Sequence, residues 1–131
     1  MTLFISLTIL AFVNSVFSLI WVKVFLSKNA TISSPKVFTK FKEMAKFQMY
    51  QSLVHNSLLV GTILSGLYGV FISDEINHIL FSFLQVSLFL FEFIMKSPQD
   101  EARNMNIWDK SKNDEYQDIC NRWIKSSLPN F

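Results

Sequence analysis

The chain has 131 residues, 50% of them hydrophobic and 17% charged, with a formal net charge of +2. That length suits one domain. The apolar residues crowd into three long blocks with few charges, which excludes an ordinary water-soluble globule, and the modest charge forms no basic block of the kind that nucleic acid requires of a partner.

The first block, from Thr2, carries no charged side chain until Lys23, and apolar residues resume through Leu26. A helix over 2–26 is long enough to cross about 30 Å of hydrocarbon. The run begins directly after Met1 without a basic leader or a small-residue cleavage site, so it reads as a retained span rather than a secretory signal. Ser34-Pro35 follows, a capping hydroxyl before a proline at the first helical position. Behind it Val37, Phe38, Phe41, Met44 and Ala45 share a face flanked by Lys36, Lys40, Lys42 and Lys46. That pattern predicts an interfacial helix over about 35–50, in the headgroup region and running on into the second span.

The second and third spans are expected over about 53–72 and 76–95, separated only by Ser73, Asp74 and Glu75, which makes them an antiparallel helical hairpin. Ser57, Gly61, Ser65 and Gly69 recur every fourth residue, with Thr62 and Gly66 alongside, a small-residue ladder that favours close helix packing in lipid over a pore or channel. Ala11, Asn14, Ser15 and Ser18 offer a shorter counterpart in the first span. The third span is bulky, with Phe81, Phe83, Phe89, Phe91 and Phe93 spread around it, and Gln85 is its midplane polar group, expected to bond to another helix.

His55, His78 and Glu92 are the ionisable residues of these two spans. A haem held between helices needs two axial ligands at compatible depth, and His55 and His78 fall near opposite membrane faces, so they stand as weak candidates for cofactor binding. Folding the hairpin about its turn places His55 at the depth of Glu92, with Lys96 one turn on. A structural ion pair among His55, Glu92 and Lys96 is preferred to a proton relay.

Ser97-Pro98 repeats the helix-start signature and divides a three-span domain, 1–96, from an extramembrane helical tail, 97–131. Between Ser111 and Ser126 the residues Tyr116, Ile119, Cys120, Trp123 and Ile124 follow the i, i+3, i+4, i+7, i+8 spacing of an amphipathic helix. A tail of this length cannot build a core alone. Its apolar face must lie on headgroups, on the interfacial helix or on another protein, and the mixed charge of its polar face favours protein.

Lysine placement orients the spans. Lys28, Lys36, Lys40, Lys42 and Lys46 in the first loop, and Lys96, Arg103, Lys110, Lys112, Arg122 and Lys125 in the tail, lie on one side, cytoplasm or matrix by the positive-inside rule. One cysteine, Cys120, excludes an intrachain disulfide, and no catalytic or nucleotide-binding motif is present. An all-α integral membrane protein of three spans without catalytic residues is therefore expected. Its role would be that of an accessory subunit, contacting other subunits and lipid, bound lipid included, and with no cofactor expected. Enrichment in Phe, Ile, Asn and Lys at the expense of Gly, Ala, Arg and Pro has the skew of an AT-rich genome. That skew directs the expectation to a respiratory or ATP-synthase complex of the mitochondrial inner membrane. The competing readings are a haem- or quinone-binding anchor subunit and a small holin-like pore former.

Overall fold

The computed structural model describes residues 1–125 and 128–131. Its helices are α1 (Thr2–Lys28), α2 (Pro35–Phe71), α3 (His78–Arg103) and α4 (Asn113–Lys125), with a 3-10 turn at Lys110–Lys112 before the last. The Ser126 end of the expected tail helix lies outside the described residues. The first three helices are long and apolar enough to cross a membrane.

Local chemistry sets the helix ends. At the end of α1 the Asn29 amide donates to the Phe25 carbonyl (2.9 Å), satisfying one of the orphan acceptors of a last turn. Ser34 begins α2 as expected: its hydroxyl accepts from the Val37 N–H (3.4 Å) with Pro35 at the first position. The stretch over 35–50 is thus the first part of one 37-residue helix. Six residues, Ile72 to Asn77, reverse the chain. Asp74 takes the left-handed conformation there (φ 54°), and the N–H groups of Glu75 and Ile76 close onto the Gly69 carbonyl (2.9 and 3.3 Å). Ile76 belongs to this turn rather than to the third span, because its side chain lies over Gly69, where a Cβ would meet it at 2.5 Å. The Asn77 side chain then accepts from the Ile79 N–H (2.7 Å) and starts α3.

The Ser97-Pro98 signature does not start a helix. Pro98 sits inside α3, which runs unbroken to Arg103, so the expected boundary at 96/97 falls within a helix. Proline costs one intrahelical hydrogen bond. Pro98 and Ala102 are buried on this extension, and tertiary burial overrides the local preference of Ser-Pro for a helix start.

Packing follows a period of seven. The buried positions of α1, Phe4, Thr8, Ala11, Ser15, Ser18, Val22 and Phe25, alternate steps of four and three. Buried residues of α2 include Phe41, Gln48, His55, Thr62 and Gly69 at steps of seven, and Leu88, Met95 and Ala102 repeat that step on α3. A 3.5-residue repeat is the signature of left-handed knobs-into-holes packing. α1 packs along both other long helices more extensively than they pack on each other. The contacts run from Gln99 with Gln48 at one end (3.2 Å) to the Phe4 and Phe81 rings at the other (centroids 5.9 Å).

The largest apolar core gathers at the first of these ends. Val22 and Phe25 of α1, Ile32 of the first loop, Phe38, Phe41 and Met44 of α2, and Tyr116, Ile119, Cys120 and Trp123 of α4 share it. Phe41 is its centre, with ring centroids 4.9 Å from Tyr116 and 6.4 Å from Trp123. A parallel bridge adds to it: Ile32 donates to the Asn106 carbonyl (2.8 Å) and accepts from the Trp108 N–H (2.9 Å). The amphipathic face of α4 is therefore covered from within the chain, chiefly by the first half of α2, and not left open for a partner protein. Ile124 is the exception and is exposed. Half of α2 and the tail together bury what neither segment could bury alone.

Candidate functional site

Polar side chains line the seam between the three long helices, and they concentrate in one cavity. Ser18 donates to Gln48 Oε1 (2.8 Å), Gln48 Nε2 returns a bond to the Ser18 carbonyl (3.0 Å), and Gln99 Nε2 donates to the same Oε1 (3.2 Å). One glutamine of α2 thus ties α1 and α3 together. One turn along α1 and two along α2, Ser15 Oγ lies 3.0 Å from His55 Nδ1, and the Asn14 amide donates to the Gln51 carbonyl (3.2 Å). These groups bound a cavity of about 250 Å³ whose remaining walls include Ser52, Glu92, Met95 and Lys96. An apolar layer of Ala11, Leu59 and Leu88 lies one turn beyond His55.

His55 is 7% exposed, and its Nε2, like Oε1 of Gln51, is buried without a hydrogen-bond partner. Buried polar groups are nearly always satisfied, by protein or by what occupies the space beside them. The seven-residue spacing explains how the site assembles. Gln48 and His55 on α2, and Glu92 and Gln99 on α3, each repeat at that interval, so both pairs stay on the faces that meet α1. That repeat is present in the sequence, yet a search for ionisable residues passes over Gln48, Gln51 and Gln99.

The other candidate residues divide. His78 is exposed in the first turn of α3, its ring against Phe71 (centroids 5.4 Å), at the far end of the bundle from His55. The sixteen residues from His55 to Phe71 span about 24 Å of helix, so the structure does not bring the two histidines together. Glu92 and Lys96 both line the cavity, but no ion pair joins them among the described residues. Both are exposed at its mouth, where fixing two long side chains costs about what their attraction returns. Gln85 is buried with its amide unbonded, contrary to the expected bond to another helix. At the matching level Thr8 and Thr62 spend their hydroxyls on carbonyls of their own helices, Phe4 and Leu59 (each 2.8 Å).

The small-residue ladder is also divided. Gly69 is buried under Ile76, but Ser57 is exposed, and Gly61 and Ser65 are half-buried. The tightest approach falls instead at Gly66, where a Cβ would meet the Phe81 ring at 2.3 Å and Phe4 at 3.0 Å. Gly61, Ser65 and Gly69 line an open groove of about 490 Å³ with Leu7, Leu64 and Tyr68.

Away from the long helices, α4 is fixed by polar as well as apolar contacts. The Tyr116 hydroxyl donates to the Ala102 carbonyl (3.0 Å) and accepts from the Met105 N–H (2.9 Å). Burial raises the Tyr116 phenol above its usual range and pushes the Cys120 thiol up to about 11. Lys42 pairs with Glu115 and, with Lys112, holds that carboxyl below the ordinary range. Among the described residues no group of three His, Cys, Asp or Glu side chains is arranged to hold a metal. No protein-family model matches the chain, and no curated protein or solved structure matches it.

Proposed function

We propose that the chain is a three-span membrane protein and serves as a non-catalytic accessory subunit of a larger membrane assembly. The observation that carries this reading is the uncovered part of the small-residue ladder. Gly61 and Ser65 line an open groove beside α2, Ser57 one turn before them is exposed, and in lipid such stripes are where a second helix can approach closely. Tight packing needs no more of them within the chain, because Gly66 and Gly69 already supply it.

In this reading α2 and α3 form a transmembrane hairpin. α2, about 55 Å long at 1.5 Å per residue, exceeds the hydrocarbon thickness, and its first turns lie with α4 in the headgroup region. Phe17, Trp21 and Phe47 cluster on the outside at that level, with Trp21 and Phe47 centroids 5.0 Å apart, as an interfacial aromatic belt requires. Lysine placement puts the loop, α4 and the C-terminus on the matrix or cytoplasmic side, and the codon-biased composition favours the mitochondrial inner membrane. Asn29-Ala30-Thr31, a glycosylation sequon, then stays unmodified.

The deciding experiment is purification from native membranes in mild detergent. Ser57→Leu with Ser65→Leu alters one exposed position and one half-buried position that lines the groove. The double variant should fold as the parent does but lose co-purifying membrane subunits by tenfold or more. Unchanged recovery of the same partners would show that the groove faces lipid.

A further inference from the structure

We infer that the pocket enclosed by α2, α3 and α4 around Arg103 is a binding site for a phosphate ester, and that the headgroup of an anionic phospholipid is its source. The site goes beyond the accessory role. It rests on the three-span reading only in placing the pocket at the headgroup level.

The lining sets the sign of the ligand. Arg103 and Lys125 stand in the walls of this pocket of about 310 Å³ with Ser52, Asn56 and Gln99, and no carboxylate lines it among the described residues. Glu92 belongs to the adjoining cavity beside His55, where Lys96 accompanies it. Two cations and three neutral hydrogen-bonding side chains, presenting a mainly polar surface, suit an anion with several acceptor oxygens. The space equals roughly ten waters at about 30 Å³ each, enough for a phosphate and the glycerol esterified to it.

Arg103 is held in place before any ligand arrives. Its guanidinium lies over the ring of Trp123 (5.2 Å), which lines the same pocket, and Asp100 accepts from its Nη2. One face and one edge of the group are thereby fixed, and the side chain is only 13% exposed. A guanidinium carries five N–H donors, so Asp100 leaves others for a second acceptor, and a fork fixed in one orientation matches phosphate oxygens in pairs. Asp100 also offsets one of the two positive charges. The single net charge that remains answers a phosphodiester, which carries one negative charge.

The apolar rim decides the source. Ile124 lines the pocket and is exposed although it belongs to the apolar stripe of α4. Leu53 and Val60 share the Asn56 face of α2 by helical spacing and are exposed as well. Acyl chains leaving the pocket can lie along these side chains, which a free phosphate ester would leave uncovered.

The test titrates the full chain, purified in detergent at fixed salt, with dioctanoyl phosphatidylglycerol in a calorimeter. Saturable one-to-one binding is expected, weakened roughly tenfold or more by Arg103→Gln, which removes charge-assisted hydrogen bonds, and about threefold by Lys125→Gln, a more exposed charge. Lys36→Gln with Lys40→Gln removes two exposed cations outside the pocket and should leave the affinity unchanged. Dioctanoylglycerol, which lacks the phosphate, should not compete. Binding without saturation, an equal loss in the Lys36 and Lys40 variant, or competition by dioctanoylglycerol would overturn the site. Glycerol phosphate binding as tightly as the lipid would overturn the lipid as its source. Should Arg103→Gln fail to fold, Lys125→Gln decides, because its side chain is exposed: an unchanged affinity there refutes the site. Because the isolated chain is used, failure here leaves the accessory-subunit reading standing.

Discussion

At Gly66 one hydrogen atom decides whether three helices can meet. A methyl group there would lie 2.3 Å from Phe81 Cε2, 2.4 Å from Cδ2 and 3.0 Å from Phe4 Cε2, and a ring wedged between two helices has no free end to swing away. Overfilling a packed interior costs about 1–3 kcal/mol, so Gly66→Ala should lower the thermal midpoint of the purified chain clearly. Gly61 provides the contrast, since its Cβ would meet only the terminal methyls of Leu7, at 3.3 and 3.9 Å. Those give way by a few tenths of an ångström, and alanine is the better helix former by about 1 kcal/mol. Gly61→Ala should therefore be neutral or slightly stabilising, measured as the midpoint of helix loss by circular dichroism. Equal losses at the two positions would show that the Phe81 ring is free to move and that the packing described at Gly66 is wrong.

At the scale of elements, α4 is held by groups that must keep their protons. Tyr116 and Cys120 are buried in the shared core, and desolvation raises both, Cys120 from 9.0 to about 11. Between the unfolded and folded values the folded chain binds more protons than the unfolded one, so stability falls as pH rises. The midpoint should stay level from pH 7 to about 9 and decline above that. Cys120→Val, which removes the first titrating group, should move the onset up to about 10, where Tyr116 begins; a wild-type profile level to pH 11 would contradict the burial of the thiol. The existence of α4 and its stripe of Tyr116, Ile119, Cys120 and Trp123 was legible in the sequence, because a 3.6-residue period states which residues share a face. What covers that face was not legible, since periodicity names no partner. Pro98 was misread for a related reason: the Ser-Pro signature is local, while the burial of Pro98 and Ala102 that carries α3 onward is tertiary. The three long apolar helices were the most legible feature, and the cavity the least. Its polar residues come from three helices whose relative register is set by packing, and the glutamines among them carry no charge to draw attention.

For the whole molecule the question is what holds the three long helices together, because burying apolar surface gives no net drive between helices surrounded by lipid. Two contributors remain, close packing and polar contacts. The packing acts at the Phe4, Gly66 and Phe81 level, and the polar contacts act at the opposite end through Gln48, which bonds to both Ser18 and Gln99. Interhelical hydrogen bonds in membranes average about 0.6 kcal/mol and reach about 1.7, so the three that meet at Gln48 amount to roughly 2 kcal/mol on that scale, comparable with the cost expected at Gly66. The two ends of the bundle should then contribute similarly, one by shape and the other by polarity. Gln48→Leu separates the terms, because leucine roughly conserves the volume and removes all three bonds. The variant should unfold at a lower fraction of sodium dodecyl sulfate in mixed micelles, by a margin similar to that of Gly66→Ala, and the two losses should add because the sites lie far apart. A Gln48→Leu chain that unfolds where the wild type does would mean that packing alone holds the three helices, and that the polar seam lines the cavity without binding its walls together.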